Sequence, residues 1–181
     1  MHESYYETTG FQKFHRFKRA PDKEIRQLVR NHPGFAYLED NGCEIGGYKF
    51  WGSPWQPEFC NWAFNLSRGV ACDRKWQQIP SDTDVLITHG PALGHGDLCN
   101  GGGHRAGCVN LLAHITERIQ PLYHISGHVH EGFGATTNGV TTFVNASTCD
   151  YAYAPRNVAV VFDLPLRERE RGGVKEDAAV D

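Results

Sequence analysis

The chain has 181 residues and a formal net charge of −3, which suits one domain with a sizeable core. This charge gives no basic surface for nucleic acid, and no apolar run is long enough to span a membrane. We find no signal peptide and therefore expect a cytoplasmic protein with no nucleic-acid or membrane partner. The six cysteines are scattered without a Cys-x-x-Cys pair, so we expect reduced, mostly structural thiols.

The start of the chain carries few structural signals. Residues 4–19 are polar and aromatic without a clear period. Residues 21–31 predict a helix, because a proline opens them, acidic residues follow, and apolar residues share one face. We then expect a short strand over residues 35–38 and a hairpin over residues 43–51 that turns at Gly46-Gly47.

Residues 53–66 hold two prolines and four aromatic residues, too irregular for a helix or a strand. We expect a folded-over loop in which the aromatic side chains pack and do not stack on a substrate. In particular, the segment from Trp51 to Trp62 is predicted to cover the core. A helix follows over residues 70–78, with Trp76 turned inward.

Two predicted buried strands each end in histidine and glycine. Residues 84–88 run into His89, and the strand beginning at Leu122 runs into Gly127-His128-Val129-His130. Between them, residues 107–119 have the apolar spacing of an amphipathic helix, so the unit is a parallel crossover. Its topology brings His89, His128 and His130 to one sheet edge, and convergent imidazoles favour a metal site over polar loop histidines.

The loop after His89 is rich in glycine and has no period. His95, Asp97 and His104 could form a second metal cluster, but flexible glycines leave the three unpositioned, and a mobile loop that contacts substrate is the preferred interpretation. Further on, residues 132–144 predict a hairpin turning at Asn138-Gly139, and residues 157–164 predict a last strand. Residues 166–181 are dense in charge and predict a disordered tail.

These motifs together resemble calcineurin-like metallophosphoesterases, and more closely the subfamily of metallophosphoesterase domain-containing proteins. The resemblance runs from about residue 35 to about residue 165. Some subfamily members have glycine at the position of His128, whereas this chain has the histidine of catalytically competent relatives. The matching segments are Tyr37-Leu38-Glu39-Asp40, Trp51-Gly52-Ser53-Pro54, Thr88-His89-Gly90-Pro91, Gly107-Cys108-Val109, Gly127-His128-Val129-His130-Glu131-Gly132 and Asn145-Ala146-Ser147-Thr148.

The resemblance implies a phosphoesterase with two divalent metal ions, manganese or iron, that acts on a small phosphate ester or a nucleotide. It assigns His89 and His128 to one metal ion and His130 to the other. His2-Glu3 matches the end of the family's Gly-Asn-His-Glu motif, which would make His2 the catalytic histidine beside the leaving group. The alternative is that these two residues match by chance.

The family's opening motifs, Asp-x-His and a strand ending in Gly-Asp, have no counterpart at the front of this sequence. We therefore expect an N-terminally truncated metallophosphoesterase domain over residues 1–165. Its α/β fold would be an incomplete four-layer α/β/β/α sandwich that lacks its first strands. The strand over residues 84–88, or its neighbour, would then have unpaired backbone and an exposed face, which a partner chain could cover.

Two functions follow from this resemblance. The first is metal-dependent phosphoester hydrolysis, impaired because several ligands are missing. The second is a catalytically inactive fragment or isoform that binds a nucleotide or a protein. The sequence singles out no substrate-binding residue.

Overall fold

The computed structural model describes residues 21–60, 62–99, 103–165 and 167. Six strands form one sheet: β1 (Asn41–Ile45), β2 (Tyr48–Ser53), β5 (Val85–Thr88), β8 (Tyr123–Ser126), β9 (Gly134–Thr137) and β10 (Thr142–Asn145). Their order across the sheet is β1-β2-β5-β8-β10-β9. The inner strands β2, β5, β8 and β10 run parallel, while β1 and β9 pair antiparallel at the two edges.

Two small sheets lie outside the main one. Strands β3 (Gln56–Pro57) and β4 (Asn65–Leu66) pair parallel within the aromatic segment. Strands β6 (Leu98–Cys99) and β7 (His104–Arg105) pair antiparallel within the glycine-rich loop. Both short pairs give local order to segments that were predicted as loops.

Both predicted hairpins are confirmed. Strands β1 and β2 turn at Gly46 and Gly47, whose φ angles of +61° and +80° suit a tight hairpin turn. Strands β9 and β10 turn near Asn138, whose Oδ1 accepts hydrogen bonds from the backbone N–H groups of Val140 and Thr141. In each case the local turn residues set the register of the pair.

The predicted helices are also present. Helix α1 is Asp22–Arg30, α2 is Val70–Trp76, and α3 is Val109–His114, continued by a π-helical turn over Ile115–Ile119. The chain leaves this turn at Gln120, which has a φ of +48°, and Pro121 follows. Helix α3 connects β5 to β8, which are parallel neighbours, so the predicted crossover is confirmed.

The core lies between α2, α3 and one face of the sheet. Trp76 and Leu111 pack against Leu86 and Phe143 in one buried cluster. The Trp76 Nε1–H group donates a hydrogen bond to Cys108 Sγ at 3.3 Å, which satisfies the buried indole. All six cysteines are free thiols, as expected.

The opposite face of the sheet is only partly covered. Ile87, in the middle of β5, is 36% exposed. It lines a groove of about 340 Å³ together with Phe35 and Leu38, and the groove reaches His89. Further along this face, Phe162 stacks on Tyr123 at 4.2 Å between ring centroids.

The strands predicted over residues 35–38 and 157–164 are wrong, because both segments lie outside any strand. Leu38 packs directly over Gly52, where an added Cβ atom would meet the leucine side chain. The Phe162 ring lies on Tyr123 in the same way. Each segment therefore reaches the open face through a side chain and does not extend a sheet edge through backbone hydrogen bonds.

The prediction that β5 or its neighbour has unpaired backbone is also wrong, since β2, β5 and β8 are each paired on both sides. What remains open is the face of the sheet and not an inner strand edge. The α/β class is confirmed. Within the described part of the chain, the strands outside the main sheet form only two-stranded pieces, so a second large sheet is absent there.

Arg167 is an exception to the predicted tail. Its guanidinium binds both carboxylate oxygens of Asp84, with N–O distances of 2.7 and 2.9 Å, and lies over the Tyr48 ring. The other residues of the tail lie outside the described part of the chain, and the domain boundary at residue 165 stays a prediction.

Candidate functional site

His89 and His128 meet at the carboxyl ends of two neighbouring parallel strands. His89 follows β5, and His128 comes two residues after β8. The Gly127 N–H group donates to the His89 carbonyl at 2.9 Å, which joins the two strand ends beyond the sheet. As a result His89 Nε2 lies 3.2 Å from His128 Nδ1.

His128 has an unusual backbone conformation. Its φ angle is +68°, a region that a residue with a side chain rarely adopts. The ring of Phe59 stands edge-on to its imidazole, with 4.9 Å between centroids. Sparsely populated backbone angles concentrate at functional sites, so this strain supports a role for the His128 side chain.

Both imidazoles stay neutral at physiological pH. Burial lowers the pKa of His89. Burial, followed by the charges of His89 and His130, lowers the pKa of His128 to about 4. A neutral imidazole offers a nitrogen lone pair, the form that a metal ligand needs.

His130 lies close by but faces differently. Its Nδ1–H group donates to the Asp150 carbonyl at 3.0 Å, and its ring stands edge-on to Tyr153. This hydrogen bond fixes the tautomer and leaves Nε2 as the nitrogen with the lone pair in the neutral ring. Metal-ligating histidines commonly have this arrangement.

The residues present fit a metal ion in part. Two nitrogen ligands at about 2.0–2.1 Å from one ion lie roughly 3.3 Å apart at a tetrahedral angle, close to the His89–His128 separation. Within residues 21–60, 62–99, 103–165 and 167, however, no group of three or more His, Cys, Asp or Glu side chains is placed to hold one ion. The structure therefore supplies two neutral nitrogen atoms that could bind a metal ion and, among the described residues, no carboxylate beside them.

Sequence reasoning missed His124, which supports the site from within the sheet. It is fully buried in β8, and its Nε2 lies 2.8 Å from Thr88 Oγ1. Thr88 Oγ1 donates to the Gly90 carbonyl at 2.7 Å, so His124 must be the donor to Thr88. This chain of hydrogen bonds fixes the turn on both sides of His89, and a histidine inside an apolar strand was the available signal.

The alternative metal cluster of His95, Asp97 and His104, which the sequence does not favour, is absent from the described residues. His95 stacks on Phe143 at 3.6 Å, and Asp97 pairs with Arg105 at 2.5 Å. His104 is exposed on β7. Asp97 is fully buried, and its Oδ2 atom has no hydrogen-bond partner among the described residues. The aspartate stabilises the loop through Arg105 and does not join the two histidines.

The aromatic segment divides into two parts. Trp51 and Trp55 pack against the core, as predicted. Trp62, which was predicted to cover the core, is 48% exposed, and Phe59 is 43% exposed. The prediction for Trp62 is wrong because the short β3–β4 pairing turns the loop between these strands outward, toward His128.

The predicted catalytic histidine, His2, lies outside the described residues.

Among the described residues, no helix combines the length and the apolar composition that a membrane span requires.

Comparison with known proteins identifies relatives by sequence, although no family model matches the chain. It is 50% identical over 130 residues to UPF0046 protein T07D4.2 of Caenorhabditis elegans, covering 72% of this chain and 33% of that protein. It is 49% identical over 143 residues to human metallophosphoesterase domain-containing protein 1, covering 79% of this chain and 43% of that protein. The chain thus spans less than half the length of these curated relatives.

One solved crystal structure is similar in fold. It superposes with a TM-score of 0.52 at 18% identity and covers 71% of this chain and 53% of its own. This likeness supports the α/β architecture alone. The sequence identities, by contrast, are high over most of the chain, and they place it in the subfamily of metallophosphoesterase domain-containing proteins.

Proposed function

We propose that this chain takes part in the metal-dependent hydrolysis of phosphate esters, either phosphodiesters or nucleotides. The observation that carries the proposal is the contact between His89 Nε2 and His128 Nδ1 at the ends of two parallel strands. Parallel α/β sheets bind their ligands at this edge. Membership of a phosphoesterase subfamily supports the same chemistry.

His89 and His128 would hold one divalent ion through their neutral ring nitrogens. His130 would offer Nε2 to a second ion, because its Nδ1–H group is already bound to Asp150. Two bound divalent ions, manganese or iron, would polarise the phosphate and activate a water molecule. His2 is proposed as the residue that stabilises the leaving group.

We propose that turnover by residues 1–181 is slow. Two ions need a bridging carboxylate to hold them at the separation that in-line displacement requires. No such carboxylate accompanies the histidine pair in the described part of the chain. The same observation favours the second candidate, an inactive module that keeps the site and binds a nucleotide or a protein.

Metal titration tests the proposal. We expect purified residues 1–181 to bind manganese weakly and to hydrolyse a generic phosphodiester far more slowly than an intact relative of the family. His128→Ala should abolish the bound metal, while His104→Ala, at an exposed histidine, should leave it unchanged. Absence of bound metal in the unmodified chain would contradict the proposal.

The rate of hydrolysis distinguishes the two candidate functions, the enzyme and the binding module. Turnover that depends on His128 supports the enzyme, whereas metal or nucleotide binding without turnover supports the binding module. Two bound ions per chain with rapid turnover would contradict the proposed impairment.

A cytoplasmic location and a partner chain remain proposals. Six free cysteines support a reducing compartment. The exposed Ile87 side chain supports a polypeptide lying on the open face of the sheet, in place of the edge first expected. A second copy is the occupant that can be tested directly: light scattering should give a dimer that Ile87→Ser dissociates, and a monomer would rule out a second copy.

A further inference from the structure

Asn145 is a buried asparagine at the end of β10, and its side chain joins three segments of the chain. Its Nδ2 group donates one hydrogen bond to the Val129 carbonyl and one to the Gly96 carbonyl, each at 2.8 Å. Its Oδ1 atom accepts a hydrogen bond from the Ser147 N–H group at 3.0 Å. Both amide hydrogens and the amide oxygen therefore have partners, and the chemistry of these partners fixes the orientation of the amide.

The Val129 carbonyl belongs to the peptide bond that joins Val129 to His130, so Asn145 binds the backbone between the two histidines of the Gly-His-x-His motif. Two further groups donate to this carbonyl, the Gly132 N–H group at 3.1 Å and the Ser147 hydroxyl at 3.4 Å. The bond from Asn145 is the shortest of the three. The asparagine is therefore the main contact that holds this peptide against the end of β10.

The backbone of His128 needs such a contact. Its φ angle of +68° is a conformation that persists only where the surrounding structure determines it. Before His128, the Gly127 N–H group is bound to the His89 carbonyl. After it, the Val129 carbonyl is bound to Asn145. Because these two hydrogen bonds hold the chain on both sides of His128, loss of the second would let its backbone relax.

Two glycines allow the asparagine to reach both carbonyls. A Cβ atom added at Gly96, which has a φ angle of +66°, would lie 2.7 Å from Asn145 Cβ and 3.0 Å from the Gly132 carbonyl oxygen. A Cβ atom added at Gly132 would lie 2.9 Å from Asn145 Nδ2. The glycine-rich loop and the backbone after His130 therefore pack directly on the amide, and the amide has one position available.

We propose that Asn145 is a positioning residue that holds His128 and His130 in the orientation in which they bind metal ions. The inference rests on the proposed function and gives a role to Asn145-Ala146-Ser147-Thr148, a motif that the resemblance leaves without one. Asn145 acts through the two histidines and not on a metal ion or a substrate. Loss of a residue that orients metal-binding histidines typically lowers metal affinity by about 10–100-fold.

Nitrogen NMR of isotope-labelled histidine tests the inference without metal, because the ring shifts report which nitrogen carries the proton. In unmodified residues 1–181 at pH 7, His130 should show one tautomer, with the proton on Nδ1, since this group donates to the Asp150 carbonyl. Asn145→Ala should give a mixture of tautomers at His130 and should shift the ring signals of His128. The reason is that the peptide between the two histidines loses its fixed position.

Thr141→Val is the matched control, because Thr141 lies at the other end of β10, is 1% exposed and donates Oγ1–H to the Pro121 carbonyl at 2.7 Å. Both variants remove buried hydrogen bonds and should lower the melting temperature. Only Asn145→Ala should change the histidine signals and weaken manganese binding, measured by calorimetry, by at least about tenfold. If Asn145→Ala does not fold, Asn145→Ser takes its place with the same expected changes, since a hydroxyl satisfies at most one of the two carbonyls.

The outcomes separate this inference from the proposed function. Unchanged histidine signals or an unchanged manganese affinity in a folded Asn145 variant would overturn the inference and leave the proposed function standing. Equal changes in Thr141→Val would also overturn it, because the loss of any buried hydrogen bond would then have this effect. An unmodified chain that binds no manganese would overturn the proposed function, while the histidine signals would still decide whether Asn145 positions the two rings.

Discussion

Leu86 and Ile87 are neighbours on β5, yet Leu86 is fully buried while Ile87 is 36% exposed. Alternate residues of a strand point to opposite faces, so the pair reports the two sides of the sheet. Helices α2 and α3 cover the Leu86 side. The other side is covered in part, by side-chain contacts from Leu38 and Phe162 and by Arg167, which lies over the Tyr48 ring. The stability of the described fold therefore comes mainly from one face.

The largest expected difference between the faces comes from truncating these two neighbours. Leu86→Ala should lower the free energy of unfolding by about 2–5 kcal/mol, since it leaves a cavity under two helices. Ile87→Ala should cost less than about 1.5 kcal/mol, because its side chain already contacts solvent. Urea denaturation of both variants measures the contrast. Equal losses would mean that the open face is covered in solution.

The second prediction concerns pH and separates the two faces through His124, which is buried on the covered side. Burial lowers the pKa of His124 to about 3, from an ordinary value of 6.5. Between these values the unfolded chain binds the proton and the folded chain does not. The stabilising contribution of the neutral His124 is therefore fully present above pH 6.5. As the pH drops toward 3, the free energy of unfolding falls by about 1.4 kcal/mol per pH unit.

Unfolding by urea at pH 7, 6, 5 and about 3.5 measures this slope. His124→Gln should make the slope shallower over the whole range. His128→Gln should make it shallower only above a pH of about 4, because the pKa of His128 is lowered to about 4. If His124→Gln leaves the slope unchanged, the pH dependence does not arise on the covered face.

The covered face and the strand ends were predictable from sequence because local patterns determine them. The apolar spacing of residues 107–119 predicts α3, and the histidines after two buried strands predict the site edge. The predictions of strands over residues 35–38 and 157–164 are wrong. An apolar sequence does not reveal whether its segment pairs with a sheet edge through backbone hydrogen bonds or lies across a sheet face through side chains. The supporting role of His124 was not predicted for a related reason: its hydrogen-bond partner, Thr88, is 36 residues away in sequence.

The third prediction tests the hydrogen bonds that connect the covered face to the site. Thr88→Val keeps the shape of the side chain but leaves the buried His124 N–H group and the Gly90 carbonyl without their partner. We expect a loss of about 1–3 kcal/mol in the free energy of unfolding. Thr136→Val, at an exposed threonine that contacts His95, should cost less than about 0.5 kcal/mol. Similar losses in the two variants would mean that the hydrogen bonds of Thr88 to His124 and Gly90 do not stabilise the fold.

The smallest expected effect lies outside both faces, at Trp62. A buried tryptophan costs about 3–5 kcal/mol when it is replaced by alanine. Trp62 is half exposed and contacts Phe59, so Trp62→Ala should lower the free energy of unfolding by less than about 1 kcal/mol. Trp76→Ala, at a buried tryptophan of α2, is the matched control and should show the full loss. A large loss at Trp62 would mean that the loop packs against the core, as the sequence predicts.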